Sequence, residues 1–193
     1  MLGLWQMTEH PSCDMLLYRQ AQQRHHHDAR QREYVCVRLL LRAMLGSGDV
    51  EIGHTAEGKP YLIGDSRSIS ISHTRGYCAV LVAHQPCGVD IEYVSNRVDR
   101  IAHRFMRDDE EAHHTLMRLV VWSAKEALYK LCSEDRLTFE QMRISFTTPL
   151  SEEVESAMVV KGENLVRQVA FQIGCLVEEA FVLTWVTSPS PSS

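Results

Sequence analysis

Two carboxylates stand two residues apart in Gly88-Val89-Asp90-Ile91-Glu92. On a strand, residues i and i+2 point to the same side with Cα atoms roughly 6.6 Å apart. One oxygen from each can then reach a single hard cation, and magnesium takes one or two carboxylates together with waters and phosphates. A solvated strand face carries the same pattern. A second group lies in Trp122-Ser123-Ala124-Lys125-Glu126-Ala127-Leu128-Tyr129-Lys130, where Glu126 and Lys130 share a helix face at i, i+4. Such a pair alone is an ordinary salt bridge worth ~0.3–0.5 kcal/mol. Lys125 lies about 100° around the helix from Glu126 and points elsewhere. A third group is Ser72-His73 at the end of an alternating run, with Lys59 in Gly58-Lys59-Pro60. Each of these also has a plain reading, as a strand-end histidine and a turn lysine.

The elements that must position these groups follow from apolar periodicity. Val37, Leu40, Leu41, Met44 and Leu45 repeat at helical spacing within 28–45, and Gly46 supplies a stop. Residues 69–73 alternate with period two, so Ile69 and Ile71 face a core while Ser70 and Ser72 face away. The apolar run 78–83 reads as a strand buried on both faces, joined to 69–73 through Arg75-Gly76 as a hairpin. Residues 88–94 form a third strand. Val98, Ile101, Ala102, Phe105 and Met106 then mark a helix, and Asp108-Asp109 stand where the next one, 110–131, would be capped. Strand-like stretches follow at 144–147, 157–160, 166–173 and 181–187. The expected organisation is α+β with antiparallel sheets: an N-terminal subdomain 1–95, a C-terminal subdomain 96–187 and a disordered tail 188–193.

Composition narrows the function classes. The chain has 193 residues, 45% apolar and 23% charged, with a formal net charge of -5. That charge argues against a nucleic-acid partner, while leaving room for a local basic pocket. The six cysteines show no CxxC spacing, so neither a zinc site nor a dithiol redox pair is expected. His25-His26-His27 read as a solvated segment leading into a helix, because adjacent residues do not converge on one point. No apolar run reaches the roughly 18–20 residues of a membrane span and no signal-peptide pattern opens the chain, so a cytoplasmic location is expected. No Gly-rich phosphate loop occurs, so any bound phosphate must be held by side chains and metal.

Taken in order, GKP, SISISHT, GVDIE, RFMRDDE and WSAKEALYK resemble the signature regions of the 4'-phosphopantetheinyl transferase superfamily over residues 28–131. The spacing is similar to the two-subdomain type that activates peptide synthetases, rather than the shorter trimeric type. The resemblance implies two similar α+β subdomains related by a pseudo-twofold, with the active site in the cleft between them. It implies that Asp90, Glu92 and Glu126 hold Mg²⁺ against the pyrophosphate of coenzyme A. Lys59, Ser72, His73, Lys125 and Lys130 would face the coenzyme, with Arg38 near its nucleotide end. Glu126 would serve as base for a serine of an apo-acyl or peptidyl carrier protein, and Lys130 would neutralise the departing 3',5'-ADP. A two-subdomain chain forms its cleft as a monomer.

The sequence departs from the family where Cys132-Ser133-Glu134-Asp135-Arg136-Leu137 replaces a Gly-Lys-Gly-Leu-like turn, and Met106 stands where an aromatic is frequent. The alternatives are another magnesium enzyme cleaving phosphoanhydrides, and a non-catalytic relative that binds coenzyme A or a carrier protein.

Overall fold

The helical spacing of 28–45 folds as expected. In the structure, a computed structural model describing residues 1–7, 14–46, 50–147 and 156–189, a helix (α2) runs Asp28–Leu45 and ends on Gly46 at φ 66°. Left-handed backbone of that kind favours glycine as a helix stop. Before it come strand β1 (Leu2–Gln6) and helix α1 (Met15–Arg24), neither expected from sequence. After it come β2 (Ile52–His54), β3 (Pro60–Leu62), β4 (Ser68–Thr74) and β5 (Tyr77–Ala83). The β4–β5 hairpin pairs His73 with Cys78. The first sheet has the order β1-β5-β4-β3-β2.

The second half repeats this plan. Strand β6 (Cys87–Tyr93) precedes α3 (Arg97–Phe105), α4 (Thr115–Leu131), β7 (Met142–Phe146), β8 (Ala157–Asn164), β9 (Val169–Val177) and β10 (Phe181–Thr187). Its sheet order, β6-β10-β9-β8-β7, is that of the first sheet element for element. The fold is therefore α+β, with two similar subdomains and two five-stranded antiparallel sheets. The strand at 88–94, assigned from sequence to a subdomain ending at 95, pairs with β10 and so opens the second sheet. Of the tail expected to be disordered, 190–193 lie outside the described residues.

Three of the apolar clusters hold the helices on the sheets and the halves together. Val37, Leu40 and Leu41 of α2 pack on Ile69, Val80 and Val82 of the first sheet. Val120, Ala124 and Leu128 of α4 pack on Ile144, Val160 and Ile173 of the second. Ala79 and Leu81 meet Val89, Ile91 and Leu183 where the halves join.

One helix boundary moved. The helix expected from 110 begins instead at Thr115, and neither Asp108 nor Asp109 caps it, the N-cap being His114. The Glu110 carboxylate is drawn into the core, where it accepts from the backbone N–H of Arg107 (2.9 Å) and of Ile144 (2.8 Å). A residue committed to those two donors holds its segment out of the helix. Strand β8 runs on past the expected 157–160 to Asn164, and β9 is displaced from the expected 166–173 to Val169–Val177. Asn164 closes the turn between them, its Oδ1 accepting from the N–H groups of Val166 and Arg167, both at 3.1 Å.

Candidate active site

The alternation of β4 builds the junction between the halves. Ser70 Oγ accepts from Val89 N–H at 3.0 Å, Ser72 Oγ donates to Asp90 Oδ1 at 2.8 Å, and Thr74 Oγ1 accepts from Tyr93 N–H at 3.2 Å. Partners advance together along both strands, so β4 and β6 run side by side in one direction, joined by side-chain hydroxyls instead of a backbone ladder. Gly88 brings β6 against α4. A Cβ there would overlap the carbonyl oxygen of Ala127, so this close approach requires glycine.

The helix presents Trp122, Glu126 and Lys130 at i, i+4, i+8, one stripe facing the β6 carboxylates. Trp122 Nε1 donates to Glu92 Oε1 at 2.9 Å. Lys130 Nζ donates to Asp90 Oδ1 at 2.8 Å and to the carbonyl of Val89 at 2.9 Å. An ammonium has three protons, so one N–H remains for the cavity that Lys130 lines. Burial, then the charge of Asp90, raises the Glu126 carboxyl above its ordinary value, with Lys130 opposing and Glu92 reinforcing. Burial also raises Glu92, against the lowering effect of the Trp122 hydrogen bond.

The structure thus gathers Asp90, Glu92 and Glu126 within electrostatic reach of one another. Among the described residues, however, no three acidic, histidine or cysteine side chains are drawn up as a closed cation site. One observation fits magnesium. Asp90 is 4% exposed, and its Oδ2 is buried without any hydrogen-bond partner. A buried carboxylate oxygen left unsatisfied is costly, and two half-buried carboxylates beside it add repulsion that a divalent cation would relieve.

Two cavities meet at Ile71. One, of about 670 Å³, lies between the halves and carries Lys59, Tyr129, Lys130 and Arg136. The other, of about 470 Å³, lies between α2 and the first sheet and carries Arg24, Arg30, Arg38 and His73. His73 Nε2 lies 3.1 Å from Arg30 Nη1 and 3.4 Å from Glu33 Oε2. Burial lowers the His73 imidazole below its ordinary value; Glu33 opposes this, and Arg30 and Lys130 reinforce it. Arg38 stacks over Tyr34, its guanidinium carbon 3.4 Å from the ring centroid. A chain with a net charge of -5 thus places Arg24, Arg30, Arg38, Lys59, Lys130 and Arg136 along these two adjoining cavities.

Two expected coenzyme contacts need correction. Lys125 is wholly buried: its Nζ donates to Glu110 Oε2 at 2.8 Å and to the carbonyls of Phe105 at 2.6 Å and Phe139 at 3.3 Å. No proton is left for a phosphate. The apolar stripe of α4 explains this, since Lys125 lies four residues after Val121 and three before Leu128, both fully buried. Ser72 gives its hydroxyl proton to Asp90, so it orients that carboxylate. Sequence reasoning also missed Trp122 as the residue holding Glu92, and Glu110 as the partner of Lys125.

The fold and site together define a protein of two repeated α+β halves, with one buried and two half-buried carboxylates at their junction and a cationic groove beside them. Family profiles match the chain across both halves: residues 86–185 to the 4'-phosphopantetheinyl transferase superfamily, and 19–83 to the 4'-phosphopantetheinyl transferase N-terminal domain. The chain belongs to the 4'-phosphopantetheinyl transferase superfamily, whose members move phosphopantetheine from coenzyme A to carrier proteins. Comparison with curated protein sequences finds no significant match. Among the described residues no helix is long and apolar enough to cross a membrane.

Proposed function

We propose that this protein transfers the 4'-phosphopantetheine arm of coenzyme A to a serine of an apo-acyl or peptidyl carrier protein, with Mg²⁺ and release of 3',5'-ADP. The observation that carries this reading is the buried, unpartnered Asp90 Oδ2 beside Glu92 and Glu126, at the edge of a groove lined by lysines and arginines. Asp90, Glu92 and Glu126 are the residues that would hold the ion, which when bound would neutralise charge on the pyrophosphate.

The chain's own groups supply the rest. Breaking a phosphoanhydride with an alcohol needs neutralised phosphates and a proton acceptor. Lys130 offers its remaining N–H to the cavity it shares with Lys59, where the two meet phosphate charge. His73 and Arg38 line the adjoining cavity, suited to the nucleotide end. Glu126 accepts the serine proton. Its carboxylate stands half-buried beside Asp90, at the edge of the cavity where the serine would enter. In this reading the protein works as a monomer, because both walls of the cleft come from one chain, and its place of work is the cytoplasm.

Mass spectrometry of an apo-carrier protein incubated with the enzyme, coenzyme A and magnesium tests the reading. The expected result is one phosphopantetheine on the carrier serine, abolished by excess EDTA. Cleavage of coenzyme A by water with an unmodified carrier would replace transfer by hydrolysis. Full transfer in EDTA would remove the metal from the proposal.

A further inference from the structure

The three carboxylates at the junction of the halves are not equally free. Asp90 Oδ1 accepts from Ser72 Oγ and from Lys130 Nζ, both at 2.8 Å. Those two donors take up the lone pairs of that oxygen. Asp90 Oδ2 is buried and has no partner. Glu92 repeats the pattern: its Oε1 accepts from Trp122 Nε1 at 2.9 Å, and no described residue donates to its Oε2. Glu126 accepts no hydrogen bond among the described residues; burial and neighbouring charges alone act on it.

Both neutral donors are built in firmly. Ser72 is buried on β4, in register with Ala79 of β5. Trp122 packs between Phe105 and Phe139, with ring centroids 5.0 and 5.4 Å away. Neither lines the two cavities, so neither is placed to touch the coenzyme there. Their work is on the carboxylates. Which cation suits carboxylates held in this way follows from counting oxygens. Calcium takes about six to eight oxygens and readily uses both oxygens of one carboxylate, whereas magnesium demands a near-octahedral shell of short bonds that it fills with waters and phosphates beside one or two carboxylates.

We propose that Ser72 and Trp122 are positioning residues that set cation specificity: by engaging one oxygen of Asp90 and one of Glu92, they leave each carboxylate a single oxygen for the ion and so favour Mg²⁺ over Ca²⁺. This rests on the reading that Asp90, Glu92 and Glu126 hold the ion. Glu126 alone keeps both oxygens open, so only one of the three carboxylates can grip a cation with two oxygens. Without the Ser72 hydroxyl, Asp90 Oδ1 regains a lone pair. Without the Trp122 N–H, Glu92 Oε1 is released entirely. Either change lets a second oxygen swing to a larger ion. Lys130 also engages Asp90 Oδ1, but it faces the cavity as well and is left unchanged in the test.

Manganese(II) is the probe, since it accepts the same octahedral oxygen shell as magnesium and its paramagnetic resonance signal drops on binding. Mn²⁺ is titrated into the protein with and without coenzyme A, coenzyme A alone serving as blank, and Ca²⁺ is then added to displace it. Wild type is compared with Ser72→Ala, Trp122→Phe and the double variant. Loss of such outer partners of metal ligands lowers metal affinity by about 10–100-fold. In the double variant Mn²⁺ is expected to bind roughly tenfold more weakly while Ca²⁺ loses little, shifting the ratio of affinities about tenfold toward calcium. Each single variant should shift it the same way by about threefold, so the test survives a double variant that does not fold. Ser72→Thr, which keeps the hydroxyl, should keep the wild-type ratio. An unchanged ratio in folded variants, or equal losses for both ions, overturns the proposal, because a merely structural role weakens both ions alike. Failure of wild type to bind Mn²⁺ beyond the coenzyme blank would instead refute the reading that these carboxylates hold an ion.

Discussion

Lys125 and Lys130 stand five residues apart on one helix, and the structure gives them opposite duties that mutation can separate. Lys125→Met would strip the buried Glu110 carboxylate of its ion-pair partner and leave the carbonyls of Phe105 and Phe139 without that donor. Glu110 would keep the two backbone N–H groups of Arg107 and Ile144, which do not carry a full positive charge. Breaking one side of a buried ion pair costs ~3–5 kcal/mol. For a chain of this size each kcal/mol lowers the melting temperature by about 2–4 °C, so a fall on the order of 10 °C is expected. Adding Glu110→Gln removes the stranded charge and should recover much of that loss.

Lys130 is 28% exposed and faces the cavity, so Lys130→Met should cost less stability and much more coenzyme A affinity. Thermal melts and coenzyme A calorimetry on the two single variants and the double read both quantities. A Lys125→Met protein that melts like wild type but binds coenzyme A weakly would refute the structural assignment and return Lys125 to the coenzyme.

Glu126→Gln separates charge from fold. The folded-state carboxyl is raised above its unfolded value, so the folded protein holds more protons in that window and stability falls as pH rises through it. The variant should therefore melt no lower than wild type near neutral pH, with its relative gain growing as pH rises from the ordinary glutamate range. Its transfer rate should drop by ~10²-fold or more; an active variant, or one that melts markedly lower, would count against the assignment. Gly88→Ala tests the contact between β6 and α4, where the added methyl meets the backbone of Ala127. Overpacking of this kind costs ~1–3 kcal/mol, and pushing β6 outward separates Asp90 from Lys130, so activity measured on the folded fraction should fall too; a stable, fully active variant would show that the strand can shift without disturbing the site.

Sequence alone reached α2, the β4–β5 hairpin and the site-bearing strand β6, because each buries a regular apolar pattern on a neighbour close in the chain. It missed β1, whose residues are mostly exposed and whose partner β5 is some seventy residues away. It missed α1 as well, which buries only Leu17 and Ala21. The start of α4 was misplaced because Asp108 and Asp109 offer cap chemistry, while the buried role of Glu110 depends on Lys125 and β7. The membership of β6 in the second sheet depends on β10, ninety residues downstream, and local periodicity contains no trace of that pairing. The burial of Lys125 is legible in the sequence, since Val121 and Leu128 place it on the apolar stripe of α4.

Strand β4 shows why a short alternating motif can organise a whole cleft. Its odd positions, Ile69 and Ile71, enter the core beneath α2, and His73 on the same side meets Arg30 and Glu33 of that helix. Its even positions, Ser70, Ser72 and Thr74, reach across to β6, and the middle one holds Asp90. One strand thus sorts the groove wall to one side and the carboxylate support to the other. A slip of a single residue would exchange the two faces, turning His73 toward β6 and the hydroxyls into an apolar core. Register is therefore as much a part of the site as any carboxylate. Two packed faces enforce it: the apolar core under α2 and the three hydroxyl contacts that tie the halves together.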